Sequence, residues 1–242
     1  MDELRLADAS GENPNELYPA SMGIYILDPQ VFTSLLMGSD QDHFGKHIIP
    51  DAIDKVGVYA HTFDGYWEDI GTVRAFFEAN LQLTDEVPSF DFYDEDYPIY
   101  NYPDILPTAK LNQCNVSRTT IASGCMVGRS SFERCMLGVR SFVGNNCKLK
   151  NVVMMGADYF SNAENERKGS ENNGHENIGV GDRSVIENAI IDKNARIGSD
   201  VNLSPNGVED GWFDDDLGIH VRDEILVVVK NAIVPSGTKI GA

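Results

Sequence analysis

The sequence predicts an α/β segment followed by a parallel β-helix of hexapeptide repeats, and two observations lead to this fold class. In the second half of the chain, aliphatic residues recur every six positions in three separate runs, often with a glycine directly after them. A six-residue period fits neither an α-helix nor an alternating strand. It fits a coil of short parallel strands, each of which points one aliphatic side chain inward. The first part of the chain instead alternates strand-like and helix-like segments, as α/β proteins do.

The three runs predict which side chains fill the interior of the coil. The first run is regular except for one ten-residue step between Val127 and Leu137. Each inward side chain is expected to contribute about 1.5–3 kcal/mol by burial. Small residues recur at the fifth place of the repeat, at Cys125, Ser131, Ser141 and Cys147. The predicted inward positions are Ile121, Val127, Leu137, Val143, Leu149, Met155, Val185, Ile191, Ile197, Leu203, Val228, Val234 and Ile240.

The α/β part is predicted from apolar strands that alternate with amphipathic helices. Strands are expected at residues 21–27 and 56–63, and helices at 28–36 and 44–52, the second interrupted near Pro50. A glycine-bounded loop then leads into a third helix, which carries Val73, Phe76, Phe77 and Leu81 on one face and has Thr72 as its candidate N-cap.

The same features divide the chain into three parts. Residues 1–84 hold two or three predicted strands, too few to form a parallel sheet that is buried on both faces. They are therefore expected to be the C-terminal part of a larger domain. The proline-containing residues 85–104 are predicted to form a linker, and residues 105–242 the β-helix. Residues 158–177 and 205–223 lack the period and are expected to be polar excursions from the coil.

Composition excludes several classes of function. The formal net charge of −19 argues against a nucleic-acid partner, which requires a basic face. The sequence shows neither a long apolar run nor a secretory signal, which predicts a cytoplasmic protein, or a plastid one in a photosynthetic eukaryote. The four cysteines have no C-x-x-C spacing and are expected to be small buried thiols rather than disulfides or metal ligands.

Six segments carry a resemblance to a known family: SMGIYIL, HFGKHIIP, DGYWEDIGTVRAFFEANLQL, MGADYF, AIIDKNARIG and VVVKNAIVPSG. In this order they resemble the C-terminal portion of glucose-1-phosphate adenylyltransferase, also called ADP-glucose pyrophosphorylase. The resemblance implies an α/β nucleotidyltransferase domain joined to a left-handed β-helix with regulatory and oligomerisation roles. It also implies formation of ADP-glucose and pyrophosphate from ATP and glucose 1-phosphate, for glycogen or starch synthesis, with Mg²⁺ as cofactor.

The resemblance assigns roles to six residues. Asp69 in YWEDIGT is implied to bind the catalytic metal, although an aspartate in a glycine-bounded loop is by itself more often a turn residue. Ser21 is implied to hydrogen-bond the glucose, and Trp67 either walls the same pocket or simply packs. A phosphorylated effector or inorganic phosphate is implied to bind at Asp192, Lys193 and Lys230.

Two further expectations concern this effector site. Lys193 and Lys230 are 37 residues apart, close to two circuits of about 18 residues, and are predicted to stack on one face of the coil. Where many relatives have glutamine and arginine in the linker, this chain has Tyr102 and Asp104. The acidic side chain would repel phosphate, so we expect either a lower affinity for the effector or a different effector.

The resembling segment lacks the family's glycine-rich nucleotide loop, which lies upstream of it. The chain is therefore expected to be a fragment that is inactive alone. The resemblance also implies assembly into homo- or hetero-tetramers. Two alternatives remain: a non-catalytic regulatory subunit of the same enzyme, and a hexapeptide-repeat acyltransferase. The second alternative needs a histidine base near the coils and is disfavoured, because His43, His47 and His61 lie before the array and His175 and His220 lie in its loops.

Overall fold

The computed structural model describes residues 21–37, 43–101, 105–160 and 177–241. The chain divides into two compact units, Met1–Trp67 and Glu68–Ala242. The predicted boundaries after residues 84 and 104 stay predictions.

Two short helices form the regular structure described in the first unit. Helix α1 spans Pro29–Met37 and helix α2 spans Ile49–Ile53, with a π-helical turn, Phe44–Ile48, directly before α2. Both helices were predicted. The predicted interruption near Pro50 is confirmed, since the helix expected over residues 44–52 changes from π-helical to α-helical between Ile48 and Ile49. Pro50 lies in the first turn of α2, where its missing amide would have no intrahelical partner.

The two strands predicted in this unit are wrong. Residues 21–27 and 56–63 are irregular throughout and pair with no other segment among the described residues. Ile24 and Ile26 are 73% and 99% exposed. A strand requires a neighbour that takes up its backbone hydrogen bonds, and an apolar sequence does not by itself supply one.

The second unit contains helix α3, Val73–Gln82, and the coil of strands. The predicted cap of α3 is confirmed, since Thr72 Oγ1 accepts a hydrogen bond from the Ala75 amide at 3.1 Å. The strands of the described coil are β1 Lys110–Leu111, β2 Asn115–Ile121, β3 Met126–Val127, β4 Ser131–Leu137, β5 Phe142–Val143, β6 Lys148–Met154, β7 Gly179–Val180, β8 Val185–Ile191, β9 Arg196–Ile197, β10 Asn202–Leu203, β11 Phe213–Asp214, β12 Ile219–Arg222, β13 Ile225–Val228, β14 Ile233–Val234 and β15 Lys239–Ile240.

Parallel pairing stacks these strands into the walls of a β-helix. One wall follows the order β1-β3-β5-β7-β9-β14, and β2, β4, β6, β8 and β13 stack in the same way. Three ladders of inward side chains result. The ladders are Val127–Val143–Val180–Ile197–Val234, Phe132–Leu149–Ile186–Leu203–Ile240 and Leu137–Met154–Ile191–Val228, and every member is at most 9% exposed.

The ladders correct the predicted grid at three places. Phe132 fills the ten-residue step, which is two steps of five. Met154 and Ile186 point inward instead of Met155 and Val185. The grid slips because uninterrupted circuits are 16 or 17 residues long, as the pairings of β2 with β4 and of β4 with β6 show, and not three full hexapeptides.

A fourth ladder, made of small polar side chains and glycines, lies at one corner of the coil. Cys147 Sγ donates to the carbonyl oxygen of Gly181 at 3.1 Å, and Ser130 Oγ donates to that of Gly144 at 2.8 Å. Cys114 with Gly128 and Ser184 with Gly198 repeat the contact. A Cβ atom on Gly128 would lie 2.6 Å from the Gly144 oxygen, which explains the glycine after the aliphatic residue. At this corner Ser130, and not the predicted Ser131, takes the small-residue place.

The cysteines are buried thiols, as predicted. None of the four forms a disulfide. Cys125, Cys135 and Cys147 are fully buried, and Cys114 is partly buried. Burial raises the pKa of the Cys135 thiol to about 11 and raises those of Cys125 and Cys147 as well. These thiols are therefore protonated at neutral pH.

The predicted excursion at 205–223 is confirmed as a hairpin. Strands β11 and β12 pair antiparallel, and β12 pairs antiparallel with β13, which returns the chain to the coil. The Asp214 carboxylate accepts a hydrogen bond from the Leu217 amide at 3.0 Å, so it serves as a turn residue. Most of the other excursion, residues 161–176, lies outside the described residues, as does His175.

Two adjacent methionines test the corrected grid. Met154→Ala is expected to lower the free energy of unfolding by about 2–5 kcal/mol, because it empties a position in an inward ladder. Met155→Ala, the matched control, is expected to cost less than about 1 kcal/mol, because that side chain is 36% exposed. Urea denaturation followed by circular dichroism measures both values, and equal losses would contradict the assignment.

Candidate functional site

The Asp69 loop leads directly into α3. Asp69 Oδ1 accepts a hydrogen bond from the Gly71 amide at 3.0 Å, which fixes the turn before the Thr72 cap. Asp69 is exposed, so its carboxylate is accessible to a ligand from solvent. Among the described residues, no group of three histidine, cysteine, aspartate or glutamate side chains is placed to hold a metal. The metal-binding role of Asp69 stays a prediction.

Ser21 and Trp67, the two predicted sugar contacts, both belong to the first unit. Ser21 Oγ lies 3.2 Å from Tyr25 Oη and accepts a hydrogen bond from the Gly23 amide at 3.2 Å. Trp67 is 41% exposed. Each side chain is therefore accessible to a ligand, and their sugar-binding roles stay predictions.

Helix α3 joins the Asp69 loop to the outer surface of the β-helix. Phe77 and Leu81 are 4% and 0% exposed. They belong to one buried cluster with Val153, Ile190 and Ile225, whose side chains point outward from the coil. The apolar stripe that predicted an amphipathic helix thus has its partner in the strands that follow it in the sequence.

Polar contacts fix the orientation of α3 on the coil. The Arg74 amide donates to Asp223 Oδ2 at 3.2 Å, and the Arg74 guanidinium lies 3.2 Å from Glu224 Oε2. Arg134, from the middle of β4, forms a 3.2 Å ion pair with Glu78. Such partly exposed pairs contribute at most about 1 kcal/mol each, so the buried cluster supplies most of the docking energy and the ion pairs set the register.

The two predicted effector lysines converge on one carboxylate. Lys193 Nζ lies 3.2 Å from Asp158 Oδ1, and Lys230 Nζ lies 3.6 Å from Asp158 Oδ2. Asp158, Lys193 and Lys230 lie on one side of the coil, which we call the lysine corner. Asp192 Oδ1 accepts a hydrogen bond from the Lys193 amide at 2.6 Å and so fixes the backbone there. The corner therefore holds two ammonium groups close enough to share one anion.

Asn194 completes this corner from within. Its Nδ2 donates to Asp158 Oδ2 at 3.0 Å and to Asn231 Oδ1 at 3.2 Å, and its Oδ1 accepts from the Asp158 amide at 2.9 Å. The Asn194 hydrogen bond and the Lys193 ammonium lower the pKa of the Asp158 carboxyl below its ordinary value. Asp158 is thus ionised at neutral pH and bridges Lys193 and Lys230.

The lysines are one circuit apart, and the predicted separation of two circuits is wrong. The Asn231 amide donates to the Lys193 carbonyl at 3.0 Å, as adjacent coils do, and Ile191 pairs with Val228. The hairpin at β11 and β12 accounts for the extra length. Tyr102 and Asp104, the expected modifiers of this site, lie outside the described residues.

Sequence reasoning missed Asp158 and Asn194 as members of the corner. Asp158 lies in MGADYF and Asn194 directly follows Lys193, so both were inside segments that carried the resemblance. The available signal for Asn194 was the 37-residue offset, since Asn194 and Asn231 share it with the two lysines.

Comparison with known families agrees with this geometry. A family model described as GLGC left-handed parallel beta-helix domain matches residues 104–239, which is more than half of the chain. A second, described as Nucleotidyl transferase, matches residues 11–86. The two matches define a nucleotidyltransferase segment followed by a left-handed β-helix, and they confirm the predicted fold class. The chain belongs to the glucose-1-phosphate adenylyltransferase family.

Within the described ranges, no helix has both the length and the apolar character needed to cross a bilayer.

The docking of α3 can be tested by removing one buried ring. Phe77→Ala is expected to speed deuterium exchange at the amides of Val73–Gln82 by ten-fold or more, because truncation of a buried phenylalanine costs about 3–5 kcal/mol. Phe213→Ala, whose ring is 58% exposed, is the matched control and should leave α3 unchanged. Mass spectrometry of the exchanged protein measures both. Unchanged exchange in the Phe77 variant would mean that other contacts hold the helix.

Proposed function

We propose that this chain forms part of a glucose-1-phosphate adenylyltransferase, which makes ADP-glucose and pyrophosphate from ATP and glucose 1-phosphate. The observation that carries the proposal is the union, in one chain, of a nucleotidyl transferase segment and a β-helix of the GLGC type. The accessible carboxylate of Asp69 supports the catalytic assignment, and the converging lysines support regulation by an anion.

In the proposed reaction, an oxygen of the sugar phosphate attacks the α-phosphorus of ATP. A new phosphorus–oxygen bond forms as the bond to the β-phosphate oxygen breaks, and pyrophosphate leaves. Mg²⁺, when bound, neutralises the phosphates and aligns them. Asp69 is suited to this role because Mg²⁺ is commonly held by one or two carboxylates together with substrate phosphates. Its hydrogen bond to the Gly71 amide would orient the carboxylate.

The sugar is proposed to contact Ser21 and Trp67. A hydroxyl that both donates and accepts can pair with a glucose hydroxyl, and such pairs give a site its selectivity. The exposed part of the Trp67 indole would supply an apolar wall for the sugar ring.

The regulatory ligand is proposed to be a phosphorylated effector or inorganic phosphate at Asp192, Lys193 and Lys230. The two ammonium groups would donate to phosphate oxygens, which form stronger hydrogen bonds than neutral acceptors. Asp192 would act on the backbone, through its contact with the Lys193 amide.

Assembly into homo- or hetero-tetramers in the cytoplasm, or in a plastid, belongs to the same proposal. The first two coils support self-association, because Leu111, Val116 and Met126 on their strands are 45%, 41% and 40% exposed.

A non-catalytic regulatory subunit is the second candidate. The observation in its favour is that the lysine corner is complete within the second unit and does not involve Asp69. The two candidates differ in whether Asp69 affects turnover.

Asp69→Asn tests the catalytic assignment. The assay uses the coding sequence that contains this chain, together with any residues encoded upstream of Met1, and measures ADP-glucose formation. Turnover is expected to fall by roughly 10²–10⁴-fold, because the metal ligand loses its charge. Asp64→Asn, which removes a neighbouring carboxylate, is the control and should retain wild-type turnover. Equal activity in both variants would remove Asp69 from the metal site and favour the regulatory subunit.

Lys193→Ala and Lys230→Ala test the effector site. Each is expected to raise the inorganic phosphate concentration needed for a half-maximal response roughly ten- to a hundred-fold, since a charged hydrogen bond contributes about 1.5–3 kcal/mol. The rate without effector should stay nearly unchanged. Lys239→Ala removes an exposed lysine elsewhere on the coil and should leave the response intact. If all three variants respond like the wild type, the chain has no effector site at this corner.

A further inference from the structure

The carboxylate of Asp158 occupies the position that an anionic ligand of the two lysines would take. Its two oxygens accept from both ammonium groups and from Asn194 Nδ2, at 3.2, 3.6 and 3.0 Å. A phosphate presents acceptor oxygens of the same kind to the same donors. One carboxylate therefore engages all three side-chain donors of this corner.

We propose that Asp158 sets the affinity of the anion site: its carboxylate is an internal competitor that a phosphate ligand must displace. This inference rests on the proposed effector site at Lys193 and Lys230.

Electrostatics explains why ligand and Asp158 exclude each other. A phosphate placed between Lys193 and Lys230 while Asp158 remained there would bring two anions into contact, which is unfavourable. The three side chains are 42%, 41% and 52% exposed for Asp158, Lys193 and Lys230, so water can take up the displaced carboxylate. Loss of the carboxylate's contacts reduces the net affinity for every ligand that enters.

The backbone of the corner can remain in place during this exchange. The Asp158 amide donates to Asn194 Oδ1 at 2.9 Å, and the Asn231 amide donates to the Lys193 carbonyl at 3.0 Å. Neither bond involves the carboxylate. Rotation of the Asp158 side chain toward solvent is therefore sufficient to free both ammonium groups.

The charge of a ligand decides how readily it overcomes this competition. A monocarboxylate would replace one carboxylate by another and would still have to meet the entropic cost of association. A phosphate dianion carries more charge and a third acceptor oxygen, so its contacts with the two ammonium groups are stronger than those of the carboxylate it displaces. A dianionic phosphate therefore overcomes the cost of displacing Asp158 more readily than a monocarboxylate does.

The test is a titration of the whole chain with inorganic phosphate, in which isothermal titration calorimetry measures the Kd. Asp158→Asn keeps the size of the side chain and removes its charge, and it is expected to lower the phosphate Kd roughly three- to ten-fold. Asp200→Asn is the matched control: it makes the same charge change and breaks another exposed ion pair, to Arg183 at 2.6 Å. Its phosphate Kd should equal that of the wild type. Thermal unfolding by circular dichroism establishes that both variants are folded.

Lys193→Gln and Lys230→Gln separate this inference from the function on which it rests. If both lysine variants lose phosphate binding while Asp158→Asn binds as the wild type does or more weakly, Asp158 supports the lysines and does not compete. The inference then falls and the effector site stands. If the lysine variants bind phosphate like the wild type, both are overturned. If Asp158→Asn and Asp200→Asn raise the phosphate affinity equally, the effect is due to the net charge of the protein, and the inference is also overturned.

Discussion

The structure depends on the stacking of inward aliphatic side chains from one coil onto those of the next. Strands of two residues, such as β3, β5 and β9, cannot persist alone, and each is held by the parallel strands on either side. Their buried valines and isoleucines supply the apolar contact that the short backbone ladders lack. Because the side chains of each coil pack against those of the next, this packing fixes the position of every corner.

Fixed corners explain how residues far apart in sequence form one site. Asp158, Lys193 and Lys230 come from three successive coils, whose strands β6, β8 and β13 pair in parallel register. The hairpin between β10 and β13 lengthens one circuit without changing the register on either side. A β-helix can therefore accept long insertions at its corners and still keep a set of charged groups aligned.

Helix α3 contacts strands that end at this corner. Ile190, in the cluster that buries Phe77, precedes Asp192 by two residues, and Val227 on β13 packs against the same cluster three residues before Lys230. The other end of α3 begins at the Thr72 cap, directly after the Asp69 loop. The lysine corner and the Asp69 loop are thus joined by one continuous set of packed elements within the second unit.

The sequence by itself determined the β-helix and the three helices, because each is recorded in local spacing: the repeat, the amphipathic stripe and the cap at Thr72. The two lysines were singled out by the resemblance of their segments to the family, and not by spacing. Only the tertiary structure decided which of two adjacent residues points inward, since circuits of 16 or 17 residues do not follow a strict period of six. It also decided that residues 21–27 and 56–63 form no strand, because strand formation depends on a partner. Asp158 was beyond local reasoning for the same reason. Its role is set by the ammonium groups that the stacking of coils brings to it, and no feature of its own segment specifies them.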